Sequence, residues 1–121
     1  MNEVHATIHT KKVNEHAASI TVTGRLDAGN AEMMKETLMQ LIDEGAIHLI
    51  VDLAGVPFID SAGLAALVSA LKATRRLGGN VVLSGVQPQA RTVFSLTMLD
   101  QVFTIYPSLE DAVDSLEANA Q

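Results

Sequence analysis

Val51-Asp52-Leu53-Ala54-Gly55-Val56-Pro57-Phe58-Ile59-Asp60-Ser61-Ala62-Gly63-Leu64 opens as a buried strand and closes as the first turn of a helix. Ile47 to Leu53 is almost continuously apolar, with Ile50, Val51 and Leu53 flanking Asp52, the pattern of a central strand covered on at least one face. Beyond Pro57, the residues Leu64, Leu67, Val68 and Leu71 fall on one helical face. Gly78-Gly79 then supplies the chemistry of a left-handed C-terminal cap. The stretch is thus one strand-to-helix unit, and strands joined through such helices run parallel.

Working outward towards the N-terminus, Val4, Ala6 and Ile8 alternate with His5, Thr7 and His9, and Ile20 and Val22 alternate with Ser19, Thr21 and Thr23. These are two half-buried strands. The short polar segment Lys11 to Glu15, with Asn14 available for a turn, predicts an antiparallel hairpin between them. Gly24-Arg25-Leu26-Asp27-Ala28-Gly29-Asn30 breaks the alternation, and Ala31, Met34, Leu38, Leu41 and Ile42 recur at helical spacing until Gly45. Either Asp27 or Asn30 caps this helix, and the local pattern leaves the choice open.

Towards the C-terminus, Val81-Val82-Leu83 forms a short strand, and Pro88 opens a helix whose Ala90, Val93 and Phe94 share a face. Val102 to Tyr106 reads as the last strand. Ser108 then caps a terminal helix that turns Leu109, Ala112, Val113 and Leu116 inward, and Asn119-Ala120-Gln121 is expected to fray. The order β-β-α-β-α-β-α-β-α predicts an α/β fold, a mixed sheet of about five strands with about four helices packed on it. One domain is expected to span residues 1–121, its core running from about residue 3 to 117.

The 121 residues, 48% of them hydrophobic, suffice for a single core. Without cysteine there is no disulfide, thiol nucleophile or thiolate metal site, as suits a cytoplasmic protein. Met1-Asn2-Glu3-Val4-His5 lacks the basic and apolar regions of an export signal, and no apolar run approaches the roughly 20 residues of a spanning helix. A net charge of −6 opposes nucleic acid and anionic membrane as partners. The basic cluster Lys72, Arg75 and Arg76 sits at a helix end, where cations complement the dipole and face water.

Few residues are arranged for catalysis. His5 and His9 lie about 13 Å apart on a strand rising about 3.3 Å per residue, so they cannot share an ion. With His16 and His48 they show no metal-ligand spacing, and neither metal nor cofactor is expected. Ser61-Ala62-Gly63 supplies the second half of a hydrolase nucleophile elbow, but Ile59 stands where the elbow needs glycine and no histidine follows Ser61. The glycines match neither phosphate-loop pattern, and no enzymatic activity is expected. Read locally, Ser61 is an N-cap serine whose hydroxyl can accept from the amide of Gly63 or Leu64.

The stretch from Val51 to Leu64 resembles the signature segment of bacterial anti-sigma factor antagonists, the STAS domain family, which ends in Asp-Ser-Ser-Gly-Leu or a close variant. Gly24-Arg25-Leu26-Asp27-Ala28 resembles that family's Gly-x-Leu-Asp loop, Leu77-Gly78-Gly79 its glycine-ended helix, and Phe103 through Ala112 its closing strand and helix. The resemblance implies a partner-switching regulator. Ser61 matches the phosphorylated serine, while Asp27, Asp60, Ala62, Gly63 and Leu64 stand with it at the partner-binding positions. The implied partners are an anti-sigma factor serine kinase, captured by the unphosphorylated form to free a sigma factor, and a metal-dependent serine phosphatase that resets the switch. A monomer or weak homodimer is expected.

Two departures stand out. Ala62 replaces a second hydroxyl residue common at that place, leaving Ser61 as the only acceptor in the motif, and Met98 stands where many members have glycine, before Leu99-Asp100. The alternative reading keeps the fold but makes the chain a structural STAS subunit of a transporter or signalling scaffold, in which Ser61 is only a cap.

Overall fold

A computed structural model describes residues 6–119. The order is β1 (Ala6–Asn14), β2 (Ala17–Gly24), α1 (Ala31–Asp43), β3 (His48–Gly55), α2 (Ser61–Arg76), β4 (Asn80–Ser84), α3 (Pro88–Leu96), a 3-10 turn (Leu99–Gln101), β5 (Ile105–Tyr106) and α4 (Leu109–Asn119). The five strands lie in one sheet in chain order, β1 antiparallel to β2 and the rest parallel. This is the α/β architecture that the alternation and helical spacing predict.

Side-chain alternation on the strands separates two faces. Ile20, Val22, Leu49, Val51, Leu53, Val81 and Leu83 enter one core with Met34 and Leu38 of α1, Leu67 and Leu71 of α2, and Phe94 of α3. Burying each such side chain contributes about 1.5–3 kcal/mol, so this layer carries most of the stabilisation. α4 instead packs against β3, β4 and β5, with Ala112 fully buried. The two ends of α2 are closed by local chemistry: Asp60 caps the start, and Gly78 follows Leu77 in the left-handed region at φ +85°. Ser108 caps α4 by accepting from the Asp111 amide at 3.1 Å.

The strands depart from the sequence pattern in two places. β1 continues through Lys11 and Lys12 to Asn14, and the turn is confined to Glu15 and His16. An edge strand exposed to water tolerates polar residues on both sides, so polarity there marked exposure and not a turn. Asn14 closes the hairpin, its Oδ1 accepting from the His16 amide at 2.8 Å. The last strand is only Ile105–Tyr106, because Phe103 is buried edge-on against Phe94, ring centres 5.9 Å apart. The amides of Val102 and Phe103 both bond to the Leu99 carbonyl, at 3.0 and 2.9 Å, which folds that segment into a turn. Val4 and His5 of the first expected strand, and Ala120 and Gln121 of the tail, lie outside the described residues.

Candidate functional site

The β2–α1 loop and the β3–α2 loop meet at the C-terminal end of the parallel strands. Leu26 and Ile59, both buried, form an isolated parallel bridge. The Leu26 amide donates to the Phe58 carbonyl at 2.9 Å, and the Asp60 amide to the Leu26 carbonyl at 3.2 Å. Asp27 and Asp60, 33 positions apart in sequence, are thereby brought to one rim.

Asp60 joins the two loops. Its Oδ1 accepts from the amides of Ala62 at 2.9 Å and Gly63 at 3.1 Å, capping α2, while its Oδ2 accepts from the Ala28 amide at 3.2 Å. Ser61 is therefore not the cap, as the local pattern suggested; it is the first helical residue and is exposed. The helix starts at Ser61, one residue earlier than a Ser61 cap requires, so the Asp60 side chain is the one placed to accept from the amides of the second and third helical residues. Among the described residues no hydrogen bond engages the Ser61 hydroxyl.

Gly63 and Leu64 are buried beneath this rim, and Ala62 is half-buried. A Cβ built on Gly63 would stand 2.7 Å from the Leu26 carbonyl oxygen and 2.9 Å from Ile59 Cγ1. Glycine at this position is what lets α2 start against the Leu26 loop.

Asp27 accepts from the Gly29 amide at 3.0 Å, and its other oxygen lies 3.7 Å from Arg25 Nε. The Arg25 guanidinium rests over the Phe58 ring, 4.1 Å from its centre. Neither Asp27 nor Asn30 caps α1 through its side chain. Asn30, buried, accepts from the Asp27 amide at 3.1 Å and donates to the Arg25 carbonyl at 2.7 Å, holding the loop closed.

Two further residues, unmarked by any sequence pattern, fix the loop from the other side. Gln89 of α3 donates to the Ile59 carbonyl at 3.1 Å and accepts from the Ile59 amide at 3.0 Å, completing that residue's backbone as a neighbouring strand would. Gln87 donates to the Ala54 carbonyl. Both act across about 30 positions of chain, beyond the reach of helical or strand periodicity.

The rim thus offers an exposed hydroxyl on a helix start held by hydrogen bonds, with the carboxylates of Asp27 and Asp60 on the same rim. Residues 9–112 match the STAS domain family. The chain is 31% identical to the anti-sigma-B factor antagonist of Listeria monocytogenes, over 84% of this chain and 90% of that one. It is 28% identical to the anti-sigma-B factor antagonist of Bacillus subtilis, over 84% and 93%. The solved structure of the anti-sigma factor antagonist SpoIIAA in its unphosphorylated form superposes with a TM-score of 0.84 at 21% identity, covering 93% of this chain and 97% of that one, which is a likeness of fold. Arrived at from the sheet order, the site and the relatives together, this chain belongs to the STAS domain family.

Proposed function

We propose that this chain is an anti-sigma factor antagonist whose unmodified form binds an anti-sigma factor with serine kinase activity, and whose phosphorylation at Ser61 releases that partner. The observation that carries the reading is the division of labour at the start of α2: Asp60 does the capping, and the Ser61 hydroxyl is exposed and free to accept a phosphoryl group. The relatives named as antagonists support the regulatory role. Asp27, Asp60, Ser61 and Ala62 form the contact rim, with Gly63 and Leu64 supporting it from beneath. The chain is the substrate and ligand of its partners and not a catalyst; a serine phosphatase completes the cycle.

A phosphoserine adds about −1.5 to −2 charges at neutral pH. The amides of Ala62 and Gly63 are already engaged by Asp60, so the phosphate projects outward beside two carboxylates and does not replace the cap. The fold survives and the surface changes. Like charges brought together and desolvated at an interface cost several kcal/mol, and about 1.4 kcal/mol is tenfold in affinity.

Calorimetric titration against the anti-sigma kinase tests this reading. Ser61→Ala retains wild-type affinity and refuses phosphate, while Ser61→Asp and the phosphorylated protein bind at least about tenfold more weakly. Equal affinity of all four forms refutes the switch and favours the structural-subunit reading.

A further inference from the structure

The face of the sheet turned away from the main core mixes polar and apolar residues and is only partly covered. Strand alternation sends Leu49, Val51, Val81 and Leu83 into that core and leaves His48, Ile50, Asn80 and Val82 on the opposite side, where α4 packs. Between α4 and the first residues of β3 and β4 lies a cavity of about 460 Å³. That volume falls in the range of small-molecule sites, about 300–1,000 Å³. Ile50 and Val82 form an apolar floor, with Ala112 and Leu116 of α4 as the wall. His16, His48, Asn80 and Tyr106 supply the polar groups.

Two features narrow what fits. The chain carries 14 acidic and 8 basic residues, yet no carboxylate, lysine or arginine is among the described residues that line the cavity. An ion entering it would lose water and meet no fixed opposite charge. In addition, the Asn80 side-chain oxygen is buried with no hydrogen-bond partner among the described residues, whereas the hydroxyls of Tyr106 and Ser115 satisfy each other at 2.6 Å. A buried acceptor left unpaired is uncommon, and a bound donor relieves it. Asn80 itself lines the cavity, and the broad terminal torsion of asparagine lets its amide turn towards a ligand held there.

We propose that this cavity binds an uncharged, partly apolar small molecule that donates a hydrogen bond to Asn80, such as a primary amide or an N–H heteroaromatic ring. The apolar body lies on Ile50, Val82 and Leu116, and the donor meets the Asn80 oxygen. β3 begins at this cavity and ends at Gly55, seven residues and about 23 Å away at the loop that leads to Ser61. A ligand here and a protein partner on the Ser61 rim occupy opposite ends of the sheet.

The test is an NMR titration of the full chain with three probes of similar size. Benzamide is neutral and donates, acetophenone is neutral and only accepts, and benzoate is charged. Benzamide at millimolar concentration is expected to shift the amide signals of His48, Asn80, Tyr106 and Ser115, with acetophenone and benzoate each binding at least about tenfold more weakly. Asn80→Leu, which removes the unpaired oxygen while keeping bulk, is expected to weaken benzamide binding about tenfold and leave acetophenone binding unchanged. Equal response to all three probes, shifts confined to other parts of the surface, or no shift with any probe overturns the proposal.

Discussion

The turn into α2 and the turn out of α3 solve the same problem, changing chain direction between a helix and a strand, by opposite means. At the first, Asp60, Gln89 and the Leu26–Ile59 bridge hold the backbone from three sides, and Gly63 permits close approach. At the second, Met98 sits in the left-handed region at φ 61° and ψ 16°, 61% exposed, a conformation that favours glycine. Leu96 beside it is 80% exposed. The turn keeps its geometry despite the side chain, held by the Met98 amide on the Ser95 carbonyl, the Gln101 amide on the Met98 carbonyl, and Arg75 on the Val102 carbonyl. One turn is over-determined by hydrogen bonds and the other tolerates strain. Of the two, it is the rigid one that carries Ser61.

Four substitutions put numbers on that contrast. Gly63→Ala has the largest expected effect, a loss of about 3 kcal/mol, because its Cβ meets backbone that cannot move without breaking the loop-to-loop bridge. Denaturant unfolding measures it, and a loss below about 1 kcal/mol would mean that the two loops yield to the added methyl group. Asp60→Ala removes the acceptor for three amides and is expected to lose about 2 kcal/mol by the same measurement. Wild-type stability in that variant would show that water replaces the carboxylate without penalty.

Met98→Gly goes the other way. Relief of the left-handed conformation, offset in part by the greater freedom of glycine in the unfolded chain, is expected to stabilise by about 0.5–1 kcal/mol and raise the Tm by a few degrees. A lower Tm would place the Met98 side chain in contacts that outweigh the strain. Ser61→Ala has the smallest effect, within about 0.5 kcal/mol of wild type, since the hydroxyl caps nothing. A loss above about 1 kcal/mol in calorimetric unfolding would return the capping role to Ser61.

By itself, the sequence determined the element order and which residues face inward. Alternation on β2 and the spacing of Leu64, Leu67 and Leu71 follow from the geometry of single strands and helices, which requires no knowledge of neighbours. The same holds for Ser108 and Gly78, whose capping acts within one turn of chain. The resemblance carried by Asp60-Ser61-Ala62-Gly63-Leu64 pointed to the family before any geometry was known.

Only the tertiary structure decided which side chain caps α2. Asp60 and Ser61 are adjacent and both are good N-cap residues, and the choice falls to Asp60 because Ala28, from a loop 32 positions away, also donates to it. The same is true of Gln89, of the shortened β5, and of the cavity against Asn80: each depends on what a distant segment places beside it. Periodicity along the chain records a residue's own element, whereas a hydrogen bond between loops or a gap beneath a helix exists only once those elements have been packed together.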